Sequence, residues 1–476
     1  MNIVLFSPQL VLALGGTLLL LYEAFGTKHK RWILPALAMV ILLASGALMW
    51  LVDGRVELLF SGMIIFDRFF VFFGTLVVLG SALAVAVSAR SLRDQEAFHG
   101  EFYALVLFSA LGMLLLISAA NMVIVFLGME VMSIPLYVMA ALRRSSARSV
   151  EAGAKYFLMG AFASGFLVYG IALVYGVTGS LRLEDIAAAW ADGAGLSFVG
   201  IAGMLLVLVG LAFKIAAVPF HMWEPDAYEG APTAVTAFFA AGPKIAAFGV
   251  LLRLIIWTFT ISDPIIWRFV WMLAVLSMTV GNFLAITQNS VKRMLAYSGI
   301  AHAGYALIGL VGGGQAAVGL VGFYLLGYFL AAVGAFAVVS ALEGKQERSL
   351  SFDDCAGRGK TDPALSLALA LFMVSLAGIP PVAGFVGKFY VFEQAIQDGF
   401  IWLVIIAVVN SIVSVYYYLR APVFCFMKSA RGETQSAPLS AGLVFTTAFA
   451  AGALVIIGIF PEIFVNLASS SAMWFF

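Results

Sequence analysis

The sequence predicts an all-α polytopic membrane protein with about fourteen transmembrane helices. Hydrophobic residues make up 63% of the 476 residues and charged residues only 11%, whereas a soluble domain is about a quarter charged. Apolar runs of about 20 residues, the length at which a helix crosses a bilayer, recur from one end of the chain to the other. The longest polar stretches, around 178–196 and 343–363, leave no room for a soluble domain.

Each apolar run is assigned to one span, in chain order. The first 16 residues lack a basic segment and a small-residue cleavage site, so the run that begins there is predicted to be a first span rather than a removed signal peptide. The run over 364–396 contains adjacent prolines and predicts one broken helix or two short ones. The predicted spans are 8–26, 32–52, 64–89, 102–118, 121–142, 154–177, 198–220, 232–258, 265–287, 293–311, 317–342, 364–396, 400–427 and 439–466.

The distribution of basic residues predicts the orientation of these spans. With the N-terminus outside, 18 of the 26 Lys and Arg residues fall in cytoplasmic loops, and only Arg55, Arg68, Arg182 and Arg268 fall in outer loops. Short cytoplasmic loops of membrane proteins carry such an excess of positive charge. Because the number of spans is even, the sequence therefore predicts that both termini lie on the outer side of the membrane.

Proline interrupts the seventh and twelfth predicted spans. Pro219 follows Lys214 by five residues, and Pro380-Pro381 precedes Lys388 by seven. A proline inside a helix frees the carbonyl four residues before it, and such groups are tolerated in a membrane only where protein or water covers them. The carbonyls predicted to be freed are those of Ile215, Leu376 and Ala377.

Broken helices at matching positions of two halves indicate a transport site built on an inverted repeat. The halves are predicted to be helices 4–8 and helices 9–13, although no sequence identity between them is evident by eye. The predicted domains are 1–101 (helices 1–3), 102–258 (the first half), 259–428 (the second half) and 429–476 (helix 14).

Four ionisable side chains fall inside predicted spans: Glu130, Lys214, Lys244 and Lys388. A charge at the centre of a spanning helix costs about 2.5–3.5 kcal/mol on the mildest insertion scale, so four of them cost roughly 10 kcal/mol unless they are paired, hydrated or neutralised. Ionisable residues at such depth commonly mark ion or proton pathways. They are the candidate site.

Glu130 and Lys214 are predicted to act as a pair in the first half. A carboxylate beside a lysine favours the charged lysine, whereas apolar surroundings favour loss of its proton. At about 7 Å and an effective dielectric of about 20, the two charges interact by roughly 2.4 kcal/mol. A small movement of Glu130 would therefore load or release a proton at Lys214. The alternative is a static ion pair that holds two helices together, although buried pairs contribute little stability.

Three further residues are candidate proton relays. Lys244 follows Gly242-Pro243 at a predicted kink, and Lys388 lies between small residues in GFVGKF. Both can exchange a proton once they are desolvated, and the alternative is that they extend towards an interface. His302 lies in an apolar helix and is either a link between the halves or a structural, hydrogen-bonded histidine.

The polar segment after Pro219 is predicted to be a loop at the cytoplasmic mouth of the site. It contains His221, Glu224 and Asp226. A single H-x-x-E pattern is a weak metal motif, so no metal site is predicted.

Other polar side chains are predicted to have structural roles. Asp67 is expected to pair with Arg68 at an outer helix end, and Arg253 to extend towards the outer interface. Tyr416 to Tyr418 are expected to anchor a helix at the membrane interface.

The chain carries no motif for a cofactor of its own. It has only two cysteines, Cys355 and Cys425, far apart in sequence, which excludes a cysteine-rich iron–sulfur or zinc site. No glycine-rich dinucleotide motif or P-loop is present. The net charge of +1 and the lack of a basic tail give no indication of a nucleic-acid partner.

Three segments of the sequence resemble the antiporter-like membrane subunits of respiratory complex I. They are FKIAAVPFHMWEPDAYEGAPTAVTAFFAAGPKIAAF (213–248), QNSVKRMLAYSGIAHAGY (288–305) and SLAGIPPVAGFVGKFYVF (375–392). The fourteen-helix layout of that family covers essentially the whole chain. Within the family, the length and Lys388 resemble the N-type subunits, because the M type typically has a glutamate there and the L type is longer.

The resemblance implies a proton-translocating subunit of NADH:quinone oxidoreductase. It assigns Glu130 and Lys214 to the coupling pair, Lys244 to the connecting lysine and Lys388 to the second-half channel lysine. It also implies that NADH, FMN, iron–sulfur clusters and quinone are bound by partner subunits. The expected neighbours are the antiporter-like subunit M, the small K-, J- and A-type subunits, and membrane lipid.

Two other functions are weighed against this one. A subunit of a multisubunit cation/proton (Na⁺/H⁺) antiporter shares the layout without redox coupling. A purely structural membrane scaffold fits poorly with four buried charges. Whether the buried charges form one continuous path or two half-channels stays open at the level of sequence.

Overall fold

The computed structural model describes residues 3–25, 33–95, 97–258, 264–311, 314, 316–344, 349–430, 436–437 and 439–472, without the side chains of 256–258. It is α-helical apart from one antiparallel β-hairpin and a few short 3₁₀ turns. The helices are α1 (Ser7–Phe25), α2 (Leu34–Leu51), α3 (Arg68–Asp94), α4 (Glu101–Ile117), α5 (Met122–Ala140), α6 (Ala147–Thr178), α7 (Leu183–Ala191), α8 (Phe198–Lys214), α9 (Trp223–Gly230), α10 (Thr233–Thr258), α11 (Pro264–Ile286), α12 (Val291–Val311), α13 (Ala316–Glu343), α14 (Arg358–Thr361), α15 (Pro363–Ala377), α16 (Ala383–Gln397), α17 (Ile401–Met427), α18 (Ala441–Ile459) and α19 (Pro461–Ser470).

The helix pattern confirms the predicted all-α polytopic fold. Among the described residues, eleven helices are long and apolar enough to cross a membrane, and α4, α8 and α15 are shorter apolar helices. In the seventh predicted span, 198–220, the helix α8 ends at Lys214, and the short helix α9 follows beyond the break. The twelfth is broken into α15 and α16. The run over 364–396 is therefore one broken span.

Besides the short helices α7 and α9, two further elements were not predicted. A β-hairpin of β1 (Glu57–Leu59) and β2 (Ile64–Phe66) joins α2 to α3. Its strands are only three residues each, too short to give a pattern in the sequence. The C-terminal region contains a second helix, α19, because Pro461 begins a new helix directly after α18.

Part of the predicted orientation depends on residues outside the described ranges. They are Lys28, Lys30, Arg31, Lys345, Arg348 and Arg431, together with the chain ends 1–2 and 473–476. The periplasmic location of both termini stays a prediction.

The centre of the bundle is formed by α10, α12 and α13. The apolar windows of α10 and α13 are 100% buried and that of α12 is 94% buried, compared with 39% or less for α1, α2 and α6. Helices α10 and α13 pack on each other, and α12 packs on α13. Polar side chains on these three helices are therefore shielded from lipid by protein.

Two short antiparallel backbone pairings, here called clips, reveal a repeat in the chain. The first clip joins the residue before α5 to the segment after α6, and the second joins the residue before α12 to the segment after α13. The bonds are Met122 N–H to Leu181 O (2.9 Å) and Leu183 N–H to Ala120 O (3.0 Å), then Val291 N–H to Leu350 O (2.9 Å) and Phe352 N–H to Asn289 O (3.2 Å). Every residue of the second clip lies 169 positions after its counterpart in the first.

This repeat is visible in the sequence once the register is known. The segments after α6 and α13 read SLRLEDI (180–186) and SLSFDDC (349–355). Five membrane crossings separate the two clips, so they lie on opposite faces of the bilayer. That is the arrangement of an inverted repeat.

Helix packing follows the same correspondence. Helix α4 packs on α5 as α11 packs on α12, and α10 packs on α4 as α17 packs on α11. Helix α6 contacts both pieces of the first broken span, α8 and α9, and α13 contacts both pieces of the second, α15 and α16. The two breaks therefore occupy equivalent positions in the two sets of five spans.

Glycines at equivalent positions let the paired helices approach closely, which gives a testable prediction. A Cβ on Gly112 would lie 2.2 Å from the backbone nitrogen of Met132, and one on Gly281 would lie 2.7 Å from that of Ala301. We expect Gly112→Ala and Gly281→Ala each to destabilise the subunit by about 1–3 kcal/mol through overpacking. The measurement is thermal unfolding of the purified membrane complex. Gly165→Ala is the control, because a Cβ there would have nothing within 4 Å. If all three variants unfold at the same temperature as the unaltered complex, the close packing is contradicted.

Candidate functional site

Lys214 is the last residue of α8, at the first break. Its side chain is 2% exposed, and Nζ donates a hydrogen bond to the Tyr156 hydroxyl at 3.3 Å. The ammonium also lies 5.2 Å from the ring centre of Tyr137 and 5.0 Å from that of Tyr156. Aromatic faces stabilise a cation without neutralising it, so Lys214 is surrounded by groups that tolerate its charge.

Glu130 lies on α5 and does not bond to Lys214 in this conformation. Its carboxylate accepts a short hydrogen bond from Ser164 on α6, and Glu130 acts on Lys214 through electrostatics at longer range. The predicted pair is therefore coupled but not in contact. This arrangement does not fit the alternative of a static ion pair that clamps two helices.

Lys244 lies on α10 at the centre of the bundle and has a partner that the sequence analysis missed. Its side chain is 3% exposed, and Nζ donates to Glu224 Oε1 at 2.7 Å across a gap of 20 residues. The segment assigned to a loop forms α9, which carries Glu224 into the protein interior, where it is 0% exposed. The expectation of a loop after Pro219 is therefore wrong for Glu224.

His302 lies on α12 and bonds to two tyrosines at once. Nδ1 lies 2.6 Å from the Tyr324 hydroxyl and Nε2 lies 3.0 Å from the Tyr418 hydroxyl. The ring of Tyr328 lies between His302 and Lys244: its centre is 4.9 Å from the imidazole centre and 5.8 Å from Lys244 Nζ. A neutral imidazole that contacts two hydroxyls can accept a proton at one nitrogen and release it at the other.

Lys388 lies on α16 at the second break and uses the carbonyls that the prolines free. Nζ donates to Leu376 O at 3.2 Å, Ala377 O at 3.0 Å and Ser411 Oγ at 3.0 Å. It also lies 4.7 Å from the ring centre of Tyr305. The predicted freeing of these two carbonyls is confirmed. At the first break, the indole of Trp223 donates to the Phe213 carbonyl.

Gly378 shapes the second break and yields a prediction about Lys388. It adopts φ +79°, and a Cβ there would lie 2.9 Å from Lys388 Cδ. We expect Gly378→Ala to displace the ammonium from its carbonyls and to lower the rate of proton translocation by the complex. Gly399→Ala is a matched control, since Gly399 has φ +87° but nothing within 4 Å of its Cβ. In both variants an alanine must adopt a left-handed backbone conformation, which costs roughly 1–2 kcal/mol. Equal rates of proton translocation in the two variants would therefore show that the contact with Lys388 is unimportant.

Together these side chains form a buried set of neighbouring polar groups, here called the polar line. It begins near Glu130 and runs through both halves of the bundle. Its members are Lys214, Tyr156, Glu224, Lys244, Tyr328, His302, Tyr324, Tyr418, Tyr305 and Lys388. The five ionisable residues named from sequence, Glu130, Lys214, Lys244, His302 and Lys388, all belong to it or adjoin it.

Several structural assignments made from sequence are wrong. Asp67 pairs with Arg253, not with Arg68, and Arg253 is 0% exposed rather than extended to the interface. Tyr417 and Tyr418 are 0% exposed, and only Tyr416 faces outwards. A run of three tyrosines near a helix end resembles an interface anchor, and its helical spacing alone does not show which faces are buried.

His221 stays at the edge of the site. It lies in the break before α9 and is partly exposed. Among the residues that the structure describes, no three His, Cys, Asp or Glu side chains converge as a metal site would require.

Known proteins with this layout were identified in three ways. The family model described as NADH:quinone oxidoreductase/Mrp antiporter, TM, matches residues 119–414. The chain is 44% identical to NADH-quinone oxidoreductase subunit N of Trichlorobacter lovleyi over 99% of this chain and 97% of that protein. It is 41% identical to subunit N 1 of Solibacter usitatus over 98% of this chain and 96% of that protein.

Two solved structures contain a chain with the same fold. A chain of respiratory complex I from Thermus thermophilus with bound aureothin superposes with a TM-score of 0.84 at 35% identity, covering 97% of this chain and 99% of that one. A chain of the Mrp complex from Dietzia superposes with a TM-score of 0.85, but its 22% identity shows the fold alone. From the matched residues and the identity over nearly its full length, the chain belongs to the NADH:quinone oxidoreductase/Mrp antiporter transmembrane family.

Proposed function

We propose that this chain is an N-type antiporter-like subunit of an NADH:quinone oxidoreductase and that it translocates protons through the polar line. The observation that carries the proposal is the succession of buried ionisable and hydroxyl groups from Lys214 to Lys388, some hydrogen-bonded and others within a few ångströms of a ring. Buried lysines that contact hydroxyls and carbonyls can each hold or release a proton, and a static scaffold has no need of them.

The five ionisable residues are assigned separate roles. Glu130 modulates the charge of Lys214 through electrostatics, so movement of α5 or Ser164 would change whether Lys214 holds its proton. Lys244 and His302 connect the halves at the bundle centre. Lys388 is the second-half station, where freed carbonyls favour the ammonium and a conformational change at the break would remove that support.

The finer details of the proposal follow the family. The chain divides into 1–101, 102–258, 259–428 and 429–476, with the two middle parts as the inverted halves. It lies in the bacterial inner membrane with both termini periplasmic. NADH, FMN, iron–sulfur clusters and quinone are bound by partner subunits, and the neighbours are the M-type and the small K-, J- and A-type subunits.

The alternative, a cation/proton antiporter subunit, is favoured by fold only. The relatives at 41–44% identity carry the name of a quinone oxidoreductase subunit, whereas the Mrp chain is 22% identical. Purification of the tagged chain from its native membrane separates the two. We expect flavin and iron–sulfur absorbance in the purified complex, and a complex of membrane subunits alone would overturn the proposal.

A further inference from the structure

Two buried ion pairs in the bundle differ in how completely they are bonded. The Asp67 carboxylate uses both oxygens on Arg253, at 2.9 and 3.0 Å. Glu224 uses only Oε1 on Lys244, at 2.7 Å. Its Oε2 is buried and has no well-formed hydrogen bond within the described residues, although the hydroxyl of Tyr228, one turn along the same helix, is near enough to interact with the carboxylate. A buried carboxylate that is incompletely bonded is costly, so this position needs an explanation.

The surroundings of Glu224 are polar on every packed side. Lys244 bonds to it from α10, and Tyr228 faces it from α9 itself. Tyr156 from α6 and Tyr328 from α13 lie further away and interact with it electrostatically. On α12 the facing residue is Gly299. A Cβ there would lie 2.8 Å from both Glu224 Oε1 and Lys244 Nζ and 3.0 Å from the Tyr328 hydroxyl. The absence of a side chain at Gly299 leaves these groups room to move.

Helix α9 also connects Glu224 to the surface. Two and five residues further on, Asp226 and Glu229 line an open, charged cavity of about 240 Å³ together with Lys155 and Arg293. Asp226 forms ion pairs with Lys155 at 2.9 Å and with Arg293 at 2.8 Å, so the cavity is lined by charged groups. The same short helix thus carries Glu224 on its buried side and Asp226 and Glu229 on the side of the cavity.

We propose that Glu224 is a proton carrier that supplies Lys244 directly from this cavity. Glu224 takes a proton from hydronium in the cavity, which becomes water. When Lys244 has passed its own proton towards His302, the Glu224 carboxylic acid gives its proton to the neutral amine, and the carboxylate–ammonium pair is restored. The centre of the polar line then has an inlet separate from Lys214. The inference rests on the proposed function.

The test uses the whole complex in proteoliposomes and two readouts. The first is the ratio of protons translocated to electrons transferred. The second is the redox-induced infrared difference spectrum, in which a carboxylic acid that gains or loses a proton shows a C=O band that shifts in D₂O. We expect Glu224→Gln to remove one such band and to slow proton translocation roughly tenfold or more. Glu224→Asp should shift the band and retain part of the rate.

Glu343→Gln is the matched control. Glu343 is also buried, but it accepts hydrogen bonds from Gln95 and Thr233. It should keep every carboxylic acid band that Glu224→Gln removes. If Glu224→Gln fails to assemble, the shift of the band in Glu224→Asp tests the assignment instead.

The inference and the proposed function fail in different ways. If Glu224→Gln translocates protons normally and loses no band, whereas Lys214→Met is strongly slowed, the inference is wrong and the proposed function stands. If Lys214→Met also translocates normally, the proposed function itself is wrong.

Discussion

Replacing Lys214 by methionine should leave the complex assembled and slow proton translocation by about 10²-fold or more. Methionine has a similar length and no charge, and its introduction removes an insertion cost of about 2.5–3.5 kcal/mol. The variant therefore has no reason to fold poorly. What it loses is the group that donates to Tyr156 and responds to Glu130. The measurements are the rate of proton translocation in proteoliposomes and its ratio to electron transfer, with assembly checked by the flavin content of the purified complex.

A second substitution separates proton transfer from charge. Arginine keeps its proton at any pH that a protein encounters, so Lys214→Arg preserves the cation but cannot release a proton. A structural cation would tolerate this change, whereas a relay would not. Lys428→Met is the matched control, because Lys428 is an exposed lysine beside the Phe424 ring. Full translocation by Lys214→Met would show that the assigned role is wrong.

Insertion energetics explains why the main site residues could be found from sequence. Charges within apolar runs are conspicuous, and Lys214, Lys244 and Lys388 are all buried in the structure. Proline breaks are equally conspicuous, because proline alone removes a backbone donor. The use of the Leu376 and Ala377 carbonyls by Lys388 follows directly from that rule.

Partners across long sequence gaps could not be predicted in the same way. Glu224 lies in a segment whose composition is that of a polar loop, and only the fold around the break turns α9 inwards onto Lys244. Asp67 and Arg253 are 186 residues apart and meet because α3 packs on α10. A single sequence contains no signal for either contact.

The inverted repeat is an intermediate case. The SLRLEDI and SLSFDDC segments resemble each other, but seven residues in a chain of 476 stand out only when the register of 169 is known. The rest of the two halves has diverged at the functional positions. The residue 169 positions after Glu130 is Gly299, which leaves space for Glu224 and Lys244.

Arg253→Met should destabilise the subunit by about 3–5 kcal/mol, because it leaves the buried charge of the Asp67 carboxylate uncompensated. The guanidinium makes two parallel bonds to Asp67, donates to Ile117 O at 2.8 Å and lies 4.6 Å from the Phe69 ring centre. We expect thermal unfolding of the complex at lower temperature, or loss of this subunit on purification. Arg68→Met is the control, since Arg68 is 39% exposed and lies 3.8 Å from Asp53, a contact worth about 1 kcal/mol at most.

A double-mutant cycle then distinguishes charge compensation from packing. Asp67→Asn removes the charge but keeps an oxygen that can accept from the Phe70 N–H at the start of α3. If charge compensation dominates, Asp67→Asn in the Arg253→Met background recovers much of the lost stability; if packing dominates, the two losses add. Arg253 and Lys244 are buried cations on the same helix, yet Arg253 bonds to both oxygens of its carboxylate and Lys244 to only one. Stability should therefore depend on Arg253, and proton movement on Lys244.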